Sequence, residues 1–323
     1  MDSDSSTRPQ ESPVQLNLRS VEGAVDLLAA ELGSLPSVTI LRSGRSSLDC
    51  RVDGSLQELV ACRLYSSAAI PLPGAPLDPN FLAPLGFLPS ATFRVGTPDT
   101  PLRRVLVATV EARLGWRNDP RDWAVNLTES VTGWVAELGA LHWVRRFGRL
   151  ERLPWATNPV VAEVLVRLAK IRAGQRVLDP FCGSGTLLVA ASRQADDVHG
   201  SDCAASSIEL ATRNIAGLPI QVEVGYAEEL QRADRSVHRV VANLPFGKRV
   251  GSHRDNQRLY PAALGEIARV LTGNGRAVLL TEDKRLLREA VAGVRGLKIV
   301  RERVLRFNGA TPTAFVLTPT RRK

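Results

Sequence analysis

The sequence predicts an α/β protein in two parts: a C-terminal domain on a mostly parallel sheet, preceded by an α+β region. Three observations predict it. The chain has 323 residues, about twice a common domain length. From Pro159 onward short apolar strands alternate with helices, the pattern of βαβ units whose sheet is covered on both faces. Before that point strands and helices come in smaller groups around a segment dense in proline and glycine.

Met1 to Pro13 is rich in Ser, Asp and Pro and reads as a disordered tail. It has neither a basic start nor an apolar run, so no secretory leader is expected. From Val14 the pattern is strand (VQLNL), helix (VEGAVDLLAAEL), two strands (VTILR and SLDCRV) and a helix (LQELVACRLYSSAAI). Pro71 to Ser90 carries too many prolines and glycines for a helix or a central strand and reads as a linker or long irregular connection. A second α+β piece follows, with a strand ATFRV, a helix PLRRVLVATVEARLG and two strands, DWAVNLTES and VTGWVAELG. A basic turn at Arg145, Arg146 and Arg149 closes it. These arginines, with Arg152, are equally consistent with a solvated linker and with an RNA contact.

The later domain then runs RVLDP, DVHGSD, IQVEVG, RVVANLPF, RAVLLTE, LKIVRERVLRF and TAFVLTP. The last two strands follow one another without a helix and are expected to pair antiparallel at one edge. The expected boundaries are residues 14–150 and 151–323.

Composition narrows the function. Hydrophobic residues make up 44% and charged ones 23%, and the longest apolar stretch is broken by Glu163 and Arg167, so no membrane span is expected. The four cysteines, Cys50, Cys62, Cys182 and Cys203, form no CxxC pair and have no histidines at ligand spacing. Neither a metal site nor a disulfide framework is expected, and a reducing cytoplasm fits best. The net charge is +9. Residues 1–157 hold 16 Lys and Arg against 17 Asp and Glu, and residues 158–323 hold 26 against 16. The excess therefore sits in the second half, where a basic surface suits a polyanion.

The chemistry is concentrated at strand ends. Val177 to Thr186, VLDPFCGSGT, is an apolar strand ending in an acid, then a glycine loop opening a helix. Gly183 and Gly185 let backbone approach a ligand closely, and the helix amides favour a carboxylate. The next strand ends in Ser201-Asp202, where an acid can accept bonds from both ribose hydroxyls of an adenosine cofactor. Asp202 can equally cap the helix starting at Ala204, and the two roles are compatible.

The fourth strand ends in Asn243-Leu244-Pro245-Phe246, a tetrad suited to methylating an amine. The lone pair of a conjugated base amine is delocalised into the ring. Acceptors placed against its hydrogens draw the nitrogen toward tetrahedral geometry. Asn243 offers a side-chain carbonyl and Leu244 a backbone acceptor. Pro245 removes a competing donor, and Phe246 can stack on the base.

DPFCGSGT followed by NLPFG resembles the THUMP-domain RNA guanosine methyltransferases, and the helical patterns near residues 21–32 and 56–70 resemble that family's N-terminal ferredoxin-like and THUMP region. The resemblance implies a Rossmann-like class I methyltransferase with a seven-stranded, mostly parallel sheet. It further implies S-adenosylmethionine as cofactor and transfer to the exocyclic N2 amine of guanosine in structured RNA, tRNA or ribosomal RNA. By position, Asp179, Phe181, Gly183, Gly185 and Thr186 are implied at the methionine end of the cofactor, Asp202 at its ribose, and Tyr226 and Ala227 at its adenine. Asn243 would lie against both cofactor and base, with Leu244, Pro245 and Phe246 around the guanine and Lys248 and Arg249 near the RNA backbone.

The chain departs from the family twice. Gly225-Tyr226-Ala227 stands where an acid usually follows the third strand, with Glu228 as a substitute, and His238 stands where an Asp usually precedes the fourth. These departures keep a non-catalytic RNA-binding descendant in view. A DNA amine methyltransferase shares the tetrad chemistry, although many run the two motifs in the opposite order. His142, His199, His238 and His253 are expected to be structural or surface residues, because the neutral guanine amine loses its proton only after attack.

Overall fold

A computed structural model of the protein describes residues 13–148, 150–153, 156–246 and 253–320. The expected tail except Pro13, and the expected contacts at Arg149, Lys248 and Arg249, lie outside the described residues. The chain divides into two compact units, Met1–Gly148 and Arg149–Lys323.

The first unit runs β1 (Val14–Arg19), α1 (Val25–Leu32), β2 (Val38–Ser43), β3 (Ser47–Val52), β4 (Ser67–Pro71), β5 (Thr92–Gly96), α2 (Thr100–Leu114), β6 (Arg117–Asn118), β7 (Val125–Ser130), β8 (Gly133–Leu138) and the single turn α3 (Trp143–Arg146). Its eight strands share one sheet in the order β2-β3-β1-β4-β8-β7-β5-β6. The two α+β pieces expected from sequence are thus continuous, joined by antiparallel pairing of β4 with β8.

Helix α2 shows why its ends fall where they do. The Asp99 side chain accepts from Leu102 N, Pro101 sits in the first turn, and Gly115 stops the helix at φ 65°.

Two expectations are overturned and one is narrowed. The helix over residues 56–70 is a 3-10 turn over Leu56–Ala61 followed by β4. The small buried side chains of Ser67 to Ile70 fit a strand flanked by β1 and β8, and a short apolar run cannot by itself distinguish helix from strand. Of the two readings of the segment after Pro71, the long irregular connection is the one observed: Phe81, Leu82 and Leu85 are buried, and Phe81 meets Trp134 edge-on at 6.0 Å.

Third, Arg146 belongs neither to a solvated linker nor to an RNA contact. Its buried guanidinium donates to the carbonyls of Leu141, Cys62 and Tyr65 and lies 3.7 Å over the Tyr65 ring. Arg145 pairs with Asp122 at 3.0 Å.

The second unit runs α4 (Pro159–Ala169), β9 (Arg176–Asp179), α5 (Thr186–Ala191), β10 (Asp197–Asp202), α6 (Ala205–Asn214), β11 (Ile220–Val224), β12 (Val237–Asn243), α7 (His253–Val270), β13 (Leu271–Thr281), α8 (Lys284–Gly293), β14 (Leu297–Val304) and β15 (Thr313–Pro319). Its seven strands are ordered β11-β10-β9-β12-β13-β15-β14. β9 to β13 are parallel, and β15 runs antiparallel between β13 and β14, as the missing helix between the last two strands required.

Helix α4 is capped by Asn158 through Val160 N, and ten of its residues are buried. α7 and α8 cover a core that includes Leu178, Tyr260, Leu287 and Phe315. No helix among the described residues is long and apolar enough to cross a membrane.

The strand order places the site. The chain leaves β9 for β10 and β11 on one side, then crosses to β12 and β13 on the other. In sheets of this order the ligand crevice lies outside the carboxyl ends of the strands at the crossover, here β9 and β12.

Candidate active site

Asp179 ends β9 and is fully buried. Its Oδ1 accepts from Phe181 N at 3.0 Å, and its Oδ2 has no partner. Burial, with Asp202 nearby, holds this carboxyl well above its ordinary 3.8; a cationic donor arriving there would favour the ionised form. Two left-handed glycines shape the following loop, Gly183 at φ 51° and Gly185 at φ 81°. A Cβ on Gly183 would meet open space, so the demand for glycine there is conformational and leaves a free approach to the backbone. At the start of the six-residue α5, Thr186 Oγ1 is buried and without a partner.

The loop after β9 is lashed to the end of β10. Cys182 N donates to Ser201 O, and Gly183 N donates to Asp202 Oδ2, each at 3.0 Å. Asp202 Oδ1 accepts from Ala204 N at 3.0 Å. The half-buried carboxylate therefore tightens the turn into α6, and its remaining lone pairs can still accept from a ligand. Cys182, in the same loop, is buried and its thiol is pushed up strongly by burial, so it stays protonated and is no nucleophile.

Beyond β11, Gly225 N donates to Asp202 O at 3.1 Å. A small hollow there is lined by Ser201, Glu223, Gly225, Tyr226, Leu230 and Arg232. Tyr226 is 60% exposed and Ala227 is buried. Two acids line this hollow, Glu223 and Glu229; Glu223 is paired with Arg232 at 2.8 Å, while Glu228 is exposed and not among the lining residues. His238 lies at the opposite end of β12 from Asn243, where its Nδ1 accepts from Arg176 N at 3.0 Å. That departure from the family pattern is thus a strand tie remote from the crevice. His199 binds Asp197, and burial lowers His142, which sits edge-on to Trp123.

The tetrad after β12 is held from behind. Asn243 Nδ2 donates to Thr157 Oγ1 at 3.1 Å, which leaves Oδ1 buried and unpartnered. Leu244 packs its side chain into the core and donates its N–H to Leu280 O at 3.0 Å. The Pro245 carbonyl accepts from Asn256 Nδ2 and from Tyr260 Oη, both at 2.8 Å. Tyr260 also bonds Thr281 Oγ1 at 2.9 Å, and burial pushes its hydroxyl up to about 12, so it remains a donor. Phe246 is half-buried.

Sequence reasoning missed Thr157, Asn256, Tyr260 and Thr281. Only the Thr157-Asn158-Pro159 start of α4 carried a local signal, as a helix cap.

Residues 148–311, half of the chain, match the family model described as "RMKL-like, methyltransferase domain". The chain belongs to this family. This methyltransferase chain is 34% identical over 205 residues to the tRNA (guanine(6)-N2)-methyltransferase of Thermus thermophilus, covering 60% of each. It is 31% identical over 159 residues to a tRNA (guanine(6)-N(2))-methyltransferase of Mus musculus, covering 44% of this chain and 32% of that one. The match thus spans about a third of the length of the mouse relative. The crystal structure of TrmN from Thermus thermophilus is similar with a TM-score of 0.73 and 26% identity, covering 95% of this chain and 99% of that chain.

The architecture of the second unit is accordingly that of a class I methyltransferase, with the candidate site residues at the carboxyl ends of β9, β10, β11 and β12.

Proposed function

We propose that this chain is an S-adenosylmethionine-dependent RNA methyltransferase acting on the exocyclic N2 amine of a guanosine, in tRNA, and that it works in the cytoplasm. One observation carries the reading: the unpartnered, buried Asn243 Oδ1 at the crevice end of β12. An unsatisfied buried acceptor costs about 1–3 kcal/mol. Its retention is explained when a donor arrives from a substrate.

The residues present fit the cofactor. Asp179 Oδ2 and Thr186 Oγ1 are buried polar atoms awaiting partners, suited to a cationic amino-acid group. Asp202 would hold the ribose hydroxyls, and the exposed ring of Tyr226 would take the adenine in place of an acid. When bound, S-adenosylmethionine supplies an electrophilic methyl group.

The protein's own part is positioning. Asn243 Oδ1 and the Leu244 carbonyl accept the two amine hydrogens, which turns the nitrogen lone pair out of conjugation. Phe246 stacks on a base flipped from its helix, a contact that contributes about 1–3 kcal/mol. The developing positive charge on nitrogen strengthens the bond to Asn243, so this acceptor acts mainly in the transition state. The surplus proton then leaves to solvent, and no strong base is needed.

The region before residue 150, with its ferredoxin-like and THUMP-like character, selects the RNA. Names of relatives on both sides of the match, mouse and Thermus, support guanine N2 as the target. Four unpaired cysteines agree with a reducing compartment. The test is methyl transfer from labelled cofactor to tRNA and to duplex DNA in parallel. Label in tRNA alone is expected. Label in DNA alone would move the reading to a DNA amine methyltransferase, and tight RNA binding with no cofactor binding would leave a binding module.

A further inference from the structure

At the end of β12 remote from Asn243, two arginines stand side by side. Arg239 on β12 and Arg276 on β13 are register partners on adjacent parallel strands, so both side chains leave the same face of the sheet. Like charges so placed repel and cost stability.

Both turn to the C-terminal end of α4. Arg239 Nε donates to Lys170 O and Arg276 Nη1 to Leu168 O, each at 3.3 Å, and Arg239 Nη1 donates to His238 O at 2.7 Å. Arg172 is exposed in the turn that follows α4. Burial first, then the charges of Arg276 and Arg172, lower the Arg239 guanidinium from its ordinary value, and no acidic group acts on it in the opposite sense. No ion pair joins Arg172, Arg239 or Arg276 to a carboxylate among the described residues.

The helix end offers only about half a negative charge against three full positive ones. Each guanidinium carries five N–H donors. The carbonyl bonds occupy two donor nitrogens of Arg239 and one of Arg276, so donors remain on both.

We propose that Arg172, Arg239 and Arg276 form a binding site for a phosphate-class oxyanion, either an RNA phosphodiester or free phosphate. A doubly acceptor, planar-matched oxyanion pairs with neighbouring guanidiniums and cancels the repulsion that the sheet register imposes. The site is distinct from the methyl-transfer crevice and stands whether or not the RNA-methylation reading does.

The experiment uses the full chain and two probes: inorganic phosphate, titrated against chloride at matched ionic strength, and a tRNA transcript. Phosphate is expected to raise the unfolding temperature of the wild type saturably. Arg172→Ala, a surface change that keeps the fold, is expected to weaken phosphate binding about 10-fold or more, the loss of one bond to a charged group. Arg276→Gln keeps a donor for Leu168 O and should act in the same direction.

The salt dependence of tRNA binding separates the sources. If a phosphodiester fills the site, Arg172→Ala lowers the slope of log affinity against log salt by about 0.9. If free phosphate fills it, the slope is unchanged while phosphate binding is lost. Either pattern supports the site. Equal phosphate binding and equal slopes in the wild type and both variants would overturn it.

Discussion

At the scale of single residues, the buried acceptors at the crevice make separable predictions. Asp179 keeps its proton in the folded state to a higher pH than its ordinary 3.8. Between those two values the folded protein binds more protons than the unfolded one, so stability falls as pH rises through that window and stays lower above it. Asp179→Asn removes this dependence. Cofactor-free variant should therefore unfold at a higher denaturant concentration than wild type at pH 7.5, yet bind the cofactor about 10-fold or more weakly, through the lost charge-assisted bond. Denaturation and calorimetry on the same samples check both halves.

Asn243→Ala removes the acceptor that matters as the amine becomes cationic, and should slow single-turnover methylation about 10²–10³-fold, comparable to one oxyanion-hole donor. Thr157 acts one step back, holding the Asn243 amide plane. Thr157→Val should slow the chemical step about 10-fold, the effect of one ordinary hydrogen bond, and Thr157→Ser should restore it. Cofactor affinity, read by calorimetry, should change little in all three variants beside the loss in the chemical step.

At the scale of elements, β10 and α5 approach closely because Gly200 has no side chain. A Cβ there would lie 2.5 Å from Leu188 Cδ1 and 2.9 Å from Cys182 Cβ. Gly200→Ala should destabilise the unit by about 1–3 kcal/mol, the usual cost of overpacking, measured as a lower urea midpoint with unchanged slope.

The same scale shows what the sequence could tell. β9 to β12 and their loops were legible because short strand patterns alternate with helical ones and end in residues that only a few turns tolerate, such as Gly183-Ser184-Gly185. The stretch from Leu56 to Ile70 was not, since its small apolar residues fit a helix until β1 and β8 claim them from both sides. The residues behind the tetrad were equally hidden. Thr157 reaches Asn243 across 86 positions, and Tyr260 reaches Pro245 from a different element, so no local pattern could pair them. His238 misled in the other direction: its place in the motif suggested a defect in the cofactor site, and its bond to Arg176 N makes it a strand tie.

At the scale of the whole molecule, the proposed function divides labour between the two units. Every residue assigned to cofactor or base lies after Thr157, and the eight-stranded sheet of the first unit carries none of them. A fragment starting at Arg149 should keep cofactor affinity within about threefold, since every residue assigned to the cofactor lies within it, while methylating tRNA far more slowly than the full chain. Filter binding and calorimetry on the fragment check this, and full activity in the fragment would end the division of labour.

Whether the unsatisfied acceptor of Asn243 receives the N2 amine of guanosine is decided by locating the methyl group. Purified protein, tRNA lacking modifications and cofactor with a deuterated methyl are combined, and the digested nucleosides are read by mass spectrometry. The label is expected in N2-methylguanosine, reduced about 10²–10³-fold at equal times with Asn243→Ala. Label on an adenosine amine or a ring carbon, or N2 label formed at the wild-type rate by Asn243→Ala, would contradict it.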